Sequence, residues 1–173
     1  MDNPHIVPPK QYHMKNLPNH LNALAITVWV GGLWAIGYLA VPILFHAQPD
    51  RQLAGMLAGR MFGTLGYVGI VCGLYLLLHR WLAVGKQISR DVLAWSVIVM
   101  LSITLVTQFY IQPLMAEMKL QVLPFEVMQS ALAGQFKMWH GISSILYLIG
   151  SLLGAWLVIR SFSTSSNRDR GGQ

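Results

Sequence analysis

The chain has 173 residues, of which 54% are hydrophobic and only 10% are charged. Soluble proteins carry about a quarter charged residues, so this composition excludes an ordinary soluble domain, and its hydrophobicity excludes a disordered chain. The single cysteine, Cys72, excludes a disulfide framework and a cysteine-cluster metal site. The basic residues give a net charge of +6 but are spread along the chain, which indicates membrane orientation and not nucleic-acid binding.

Four stretches are long and apolar enough to cross a bilayer, whose hydrocarbon core needs about 20 helical residues. They predict spans at about 21–45, 61–79, 92–114 and 138–159. Each span must be helical, because no backbone polar group can stay unpaired in lipid. The predicted fold class is therefore all-α, an integral membrane four-helix bundle in contact with the lipid bilayer. The transmembrane domain covers 21–159, between an N-terminal segment over 1–20 and a disordered tail over 160–173.

Lysines and arginines outside the spans predict the orientation, because they gather on the cytoplasmic side of a membrane. Eight of them lie in the N-terminal segment, the loop between the second and third spans, and the tail. Four lie in the other two loops. Both termini are therefore predicted to be cytoplasmic.

The sequence also predicts short amphipathic helices in the two loops on the outer side. Asp50 is a suitable N-cap for a helix over 50–60, whose apolar residues share one face. A similar stretch follows Pro124 between residues 115 and 137.

The two halves of the chain also resemble each other. Leu-Ala-Gly occurs at 57–59 and at 132–134, ahead of the second and fourth spans, and Pro42 and Pro113 lie near the outer ends of the first and third. This pattern is typical of a duplicated two-helix hairpin. Chance similarity in a chain of few residue types is the alternative.

Small residues predict close helix packing, because helices in lipid associate through tight contacts and interhelical hydrogen bonds. Glycines recur at three- and four-residue spacing on the second and fourth spans: Gly55, Gly59, Gly63, Gly66, Gly69, Gly73, Gly150 and Gly154. Internal packing of one bundle is one interpretation. A homo-oligomer formed through a glycine face is the other.

A polar stripe follows helical spacing on the fourth span: His140, Ser143, Ser144, Tyr147, Gly150, Ser151 and Gly154. Thr104, Thr107 and Gln108 form a similar group on the third span. Polar groups at this depth should face the bundle interior. They either tie helices together or line a path for an uncharged solute.

The sequence favours a non-enzymatic role. No Asp, Glu, Lys or Arg lies inside the predicted spans, which argues against an ion-coupled transporter. A phosphate-binding glycine loop followed by Lys is absent, and so is the G-x-S-x-G motif of hydrolases.

Histidine supplies the alternative, a haem- or copper-binding membrane protein. His46 ends the first span and His140 begins the fourth, both on the predicted outer side, where they could hold haem b or a copper ion. Met115 and Met138 lie on the same side and carry the soft thioethers that suit copper(I). The structural interpretation is that methionine fills packing gaps and interfacial histidine hydrogen-bonds its surroundings.

Several segments together resemble a known family. They are 31–38 (GGLWAIGY), 41–45 (VPILF), the stretch from Ala54 to Phe62, and the stretch from Phe136 to Ser143; their motif positions include Gly32, Pro42, Phe45, Gly141 and Ser143. These segments are similar to the transmembrane protein 205-like family, over about residues 20–159. The resemblance implies a four-helix protein of the bacterial inner membrane and supplies no established molecular activity. More distantly, the four-helix layout is similar to that of the copper-resistance D proteins and of the haem-dependent protoporphyrinogen oxidase of bacteria.

Overall fold

The structure, a computed structural model, describes residues 17–123, 125 and 127–170, with side chains from 20 to 161 within them. Within these residues the fold is all-α, with six α-helices: α1 (Leu17–Trp34), α2 (Val41–Ala47), α3 (Arg51–Val84), α4 (Val92–Val106), α5 (Gln112–Gln121) and α6 (Ala133–Arg170). A first π-helical turn, Ala35–Ala40, joins α1 to α2, and a second, Thr107–Ile111, joins α4 to α5. Two 3-10 turns, Gly85–Arg90 and Val127–Gln129, lie in connections.

These elements form four helical rods of membrane-crossing length, named the first to fourth spans: His20–Ala47, Arg51–Arg90, Val92–Gln121 and Ala133–Ser161. In the most apolar 18-residue stretch of each span, only 11% to 28% of the residues are buried inside the protein. The remaining apolar surface needs lipid to cover it, because soluble proteins rarely expose large contiguous apolar patches. The four predicted spans are therefore confirmed as helices, and the chain is a multi-pass membrane protein by helix length and hydropathy.

The prediction of separate amphipathic helices in the outer loops is wrong for the described residues. Asp50 does cap a helix, since its carboxylate accepts hydrogen bonds from the backbone N–H groups of Gln52 and Leu53. However, that helix is α3, which continues into the second span, because no proline follows Asp50 before the turn at Gly85 and helix growth is cooperative.

The second outer loop differs from the prediction in a similar way. The third span continues as far as Gln121 instead of ending at 114. The described part of 122–132 then forms turns, in which the Ser130 hydroxyl donates to the carbonyl of Val127 and accepts from the N–H of Leu132. Such local side-chain bonds compete with helix formation. Pro124 lies outside the described residues.

The chain after the fourth span was predicted to be disordered over 160–173. The backbone of α6 instead remains helical to Arg170, and 171–173 lie outside the described residues. The helix also begins five residues before the predicted start at 138.

The four spans pack as a ring in which each one touches its two neighbours: α1 packs against α3 and α6, and α4 packs against α3 and α6. We call the end with the connection over 85–91 the inner end and the opposite end the outer end, after the predicted orientation. The main hydrophobic core lies toward the inner half and includes Trp29, Met100 and Leu157. Trp29 is 1% exposed and is among the largest fully buried side chains.

A salt bridge closes the inner connection between the second and third spans. Arg80, near the end of α3, donates two hydrogen bonds to the carboxylate of Asp91, one of them 3.1 Å from Nη2 to Oδ1. Asp91 is also the N-cap of α4 and accepts from the N–H of Leu93. Gly85, which begins this connection, has a φ of +56°, a conformation that side chains with a β-carbon rarely adopt.

Candidate functional site

His46 lies on the exposed side of α2 at the outer end. Together with Pro42, Ile43 and Ala47 it lines a shallow surface depression. Pro42 occupies the first turn of α2, just after the first π turn, where its missing N–H is tolerated. The imidazole is therefore accessible from outside the bundle.

His140 is also exposed at the outer end, on the first turns of α6. Its ring stacks on Phe136 with an interplanar angle of 7° and 6.1 Å between centroids, and its carbonyl accepts from the Ser144 hydroxyl. Met138 is 54% exposed and Met115 is partly buried. Among the described residues, no group of three or more His, Cys, Asp or Glu side chains could hold a metal ion.

Lys119 forms an outer-end contact that the sequence did not single out. Its ammonium donates to the carbonyl oxygen of Gly55 at 3.0 Å and lies 5.5 Å from the centroid of the Phe136 ring. Phe45 of α2 also reaches Gly55, where a β-carbon would lie 3.9 Å from its Cζ. Lys119 therefore ties the third span to the second and fourth. The sequence placed Lys119 in a loop beyond the predicted end of the third span at 114, so no local signal indicated this contact.

Tyr147 lies at mid-span on α6 and contacts the first π turn. Its hydroxyl donates to the carbonyl oxygen of Leu33, and it lies directly against Gly37, where there is no room for a β-carbon. The ring makes edge-to-face contacts with Tyr38 and Phe62, with centroids 5.8 Å and 5.5 Å away. Tyr147, from the predicted stripe, thus ties the fourth span to the first.

Gln108 makes the corresponding contact at the second π turn. Its amide group lies against Gly66 on α3, again where a β-carbon would collide with it. Both π turns end two residues before a proline, Pro42 or Pro113. π-Helical turns occur where a helical hydrogen-bond ladder is locally disrupted, and they are frequent at functional sites.

Other polar residues of the two predicted groups bond to their own helices. The hydroxyls of Ser144 and Thr104 donate to the carbonyl oxygens four residues earlier, those of His140 and Met100. Along the stripe, burial increases inward from exposed His140 and Ser144 through partly buried Ser143 and Tyr147 to buried Gly150, Ser151 and Gly154.

The glycine series on α3 packs inside the bundle, as one interpretation of the sequence predicted. A β-carbon at Gly69 would lie 2.5 Å from Nε1 of Trp29, and one at Gly73 would lie 3.0 Å from the same indole. Gly32 is close-packed too, with a Cδ1 of Leu65 2.7 Å from its β-carbon position. Among the described residues nothing lies within 4 Å of that position at Gly63 or Gly141.

A polar contact also joins the first and second spans at the inner end. The Asn22 amide nitrogen lies 2.7 Å from Nδ1 of His79, whose ring also faces Tyr75 at 6.3 Å between centroids. The Asn22 amide oxygen is buried and has no hydrogen-bond partner among the described residues. The sequence placed His79 at the end of a span but gave no indication of this partner.

Asp91 lies between the second and third spans. Burial alone would raise the pKa of its carboxyl group, but the hydrogen bonds and charge of Arg80, with the backbone N–H bonds of α4, lower the pKa below its ordinary value. The carboxylate is therefore held in its charged form next to Arg80.

These features define a multi-pass membrane protein with four helical spans, two π turns at mid-span and polar ties at both ends. The chain belongs to the family of DUF4149, a domain of unknown function, whose family model matches residues 24–124. The match covers the first three spans, and the fourth lies beyond it. No curated protein and no solved structure matches the chain.

Proposed function

We propose that this protein is a non-enzymatic, structural or accessory component of a bacterial inner membrane, similar to the transmembrane protein 205-like proteins. The chain's own packing supports this role. Trp29 fills the bundle centre against Gly69, where a solute path would have to pass. The Tyr147 hydroxyl donates to the backbone of a neighbouring helix, and the hydroxyls of Ser144 and Thr104 donate to their own helices, which leaves few polar groups to recognise a solute.

The Tyr147–Leu33 hydrogen bond is the observation on which the proposal rests. A polar side chain at mid-span is costly in lipid and usually marks a substrate or ion path. Here its hydroxyl instead ties the fourth span to the first. Interhelical hydrogen bonds of this kind stabilise membrane bundles by about 0.6–2 kcal/mol each.

The test is a purified sample from cells supplied with haem precursor and copper. We expect no Soret band and no stoichiometric copper, and we expect liposomes containing the protein to take up glycerol and urea no faster than empty ones. A stoichiometric band or copper content, or accelerated uptake, would overturn the proposal.

The second candidate is a haem- or copper-binding protein, supported by the exposure of both His46 and His140 at the same end of the bundle. Met115 and Met138 lie at that end and could complete a copper(I) site. If a band or copper appears, His140→Ala should abolish it, and His20→Ala, at the inner end, should leave it intact. Loss with His20→Ala alone would reject this ligand assignment.

We propose that both termini are cytoplasmic, as the distribution of lysines and arginines predicts. The charges of Lys86 and Arg90 in the inner connection, together with Arg80, support this assignment. Reporter fusions at the C-terminus and in the 122–132 connection test it: the first should report the cytoplasm and the second the periplasm. The reverse pattern would overturn it.

We also propose a homo-oligomer that forms through a glycine face. The support is that Gly134 is exposed and that a β-carbon there or at Gly141 would meet no described atom within 4 Å. Light scattering in detergent should give a mass above the 19.3 kDa monomer, and Gly141→Leu should return it to the monomer. A monomeric mass for the unsubstituted protein would overturn this part of the proposal.

A further inference from the structure

The first and third spans bury side chains at equivalent positions. Four core positions of the first span, Ala25, Ile26, Trp29 and Val30, are buried. The residues 71 positions later, Ser96, Val97, Met100 and Leu101, are also buried, and Ala94 is the one further buried residue in the described first half of the third span. The same shift carries Pro42 onto Pro113 and places the two π turns over each other.

The second and fourth spans match in the same way with a shift of 81 positions. Leu65, Gly69, Gly73 and Leu76 correspond to Leu146, Gly150, Gly154 and Leu157. An aromatic and a basic side chain contact each other one turn apart at the inner end of both spans. These are Tyr75 with His79, at 6.3 Å between ring centroids, and Trp156 with Arg160, at 5.5 Å from the ring to Cζ.

The contacts between spans follow the same two shifts. A β-carbon at Gly73 would lie 3.0 Å from both Trp29 and Leu101. One at Gly154 would lie 3.4 Å from Met100 and 3.1 Å from Val30, which are the counterparts of Trp29 and Leu101 respectively.

The polar contacts at the π turns follow the same two shifts. In each contact a large side chain lies against a glycine, but the large residue and the glycine have changed places between the two contacts. Tyr147 of the fourth span lies against Gly37 of the first. The counterparts of these residues are Gly66 of the second span and Gln108 of the third, and Gln108 lies against Gly66.

The first and second spans form the first hairpin, and the third and fourth spans form the second. Each contact between the two hairpins therefore has a counterpart in which the hairpins exchange roles. Leu101 of the second hairpin packs on Gly73 of the first, while Val30 of the first packs on Gly154 of the second. A two-fold axis produces this reciprocity, as at the interface of a symmetric dimer, where one patch contacts itself. From it we infer that the chain is a duplicated helical hairpin. It is a fused homodimer, in which each half presents the surface that fits the other half.

The register of this relation differs from the one that the sequence suggested. The Pro42 and Pro113 match belongs to it, but the two Leu-Ala-Gly segments do not. Residues 57–59 lie within α3, whereas Leu132 precedes α6. Successive antiparallel hairpins enter the membrane in the same direction, so the axis runs along the bundle, as in parallel repeats of membrane proteins.

One position shows where the two halves have diverged. Trp29 covers Gly69, with Nε1 2.5 Å from the β-carbon position. Its counterpart Met100 is smaller, and nothing among the described residues lies within 4 Å of the β-carbon position at Gly150, although Gly150 is buried. The second half thus keeps a glycine, Gly150, at the position of Gly69, but it has no tryptophan to cover that glycine.

This divergence allows a test of the register with the full-length protein in detergent, read as the midpoint of thermal unfolding. Gly150→Ala alone should leave the midpoint unchanged, and Met100→Trp alone should fold, because the indole can enter the space beside Gly150. The two together should lower the midpoint by several degrees more than the sum of the single effects. An additive result would overturn the equivalence of Met100 with Trp29.

The reciprocal experiment uses the first half and keeps the test decisive if the tryptophan variant fails to fold. Gly69→Ala should lower the midpoint, because the alanine collides with the Trp29 indole. Trp29→Met should relieve that specific loss, so that Trp29→Met with Gly69→Ala is no less stable than Trp29→Met alone. A double variant that loses the full alanine penalty would contradict the fused-dimer inference.

Discussion

The Tyr147 hydroxyl of the fourth span donates its hydrogen bond to the backbone carbonyl oxygen of Leu33 in the first span. Leu33 lies just before the first π turn, and Gly37 within that turn leaves the space that the tyrosine ring occupies. One side chain therefore holds two helices together at a point where the helical ladder of one of them is disrupted.

Tyr147→Phe should lower the free energy of unfolding by about 0.6–2 kcal/mol, the range for an interhelical hydrogen bond in a membrane protein. The ring contacts with Tyr38 and Phe62 are kept, so the loss reports the hydroxyl alone. Unfolding in increasing SDS measures the change. Tyr67→Phe, at an exposed tyrosine of the second span, is the matched control and should have no effect. Equal stability of both variants would show that the hydroxyl contributes nothing.

Gly73→Ala should destabilise the bundle by about 1–3 kcal/mol, the usual cost of overpacking a core. The added methyl group would lie 3.0 Å from the Trp29 indole, which is 1% exposed and also lies against Gly69. Gly63→Ala on the same helix meets nothing within 4 Å among the described residues, so it should be neutral. The midpoint of thermal unfolding distinguishes the two, and a comparable loss in both would point to helix flexibility in place of packing.

The sequence predicted the four spans because their hydropathy is a local property that needs no neighbour. It also predicted the Asp50 cap, since capping depends on one side chain and the next three N–H groups. It failed at the helix ends, because an amphipathic pattern such as that around Leu53 does not reveal whether the helix stops before the membrane. Only the absence of a breaking residue before Gly85 contained that information.

The candidate site was less predictable than the fold. Tyr147 was identified from the helical spacing of polar residues, but its partner is a backbone carbonyl, which leaves no sequence signal. The contact of Lys119 with Gly55 joins residues 64 positions apart and depends on which helices are neighbours. His46 and His140 were placed on the same side by topology, and their role in binding haem or copper stays a prediction.

The Arg80–Asp91 pair should make stability depend on pH in acid solution. The folded pKa of Asp91 is lowered below its ordinary value, so its stabilisation is fully present above the unfolded pKa of about 4. It is lost as the pH falls through the folded pKa. Because Arg80 is 36% exposed and screened by solvent, we expect an effect below about 1 kcal/mol.

Asp91→Asn tests this pH dependence, because asparagine can still cap α4 but carries no charge. The thermal midpoint, followed between about pH 3 and pH 6, should fall less steeply for the variant than for the original chain. An unchanged slope in Asp91→Asn would assign the acid sensitivity to other groups.

Lys119→Met should loosen the outer end of the bundle. The methionine keeps an apolar stem of similar length but cannot donate to the Gly55 carbonyl or attract the Phe136 ring, so α3, α5 and α6 lose their shared contact. The two lost interactions together are worth about 1–3 kcal/mol. Amide hydrogen exchange over 51–58 should become faster, with little change around Trp29. Lys137→Met, an exposed lysine near the same end, is the control, and equal exchange in the two variants would show that Lys119 holds nothing in place.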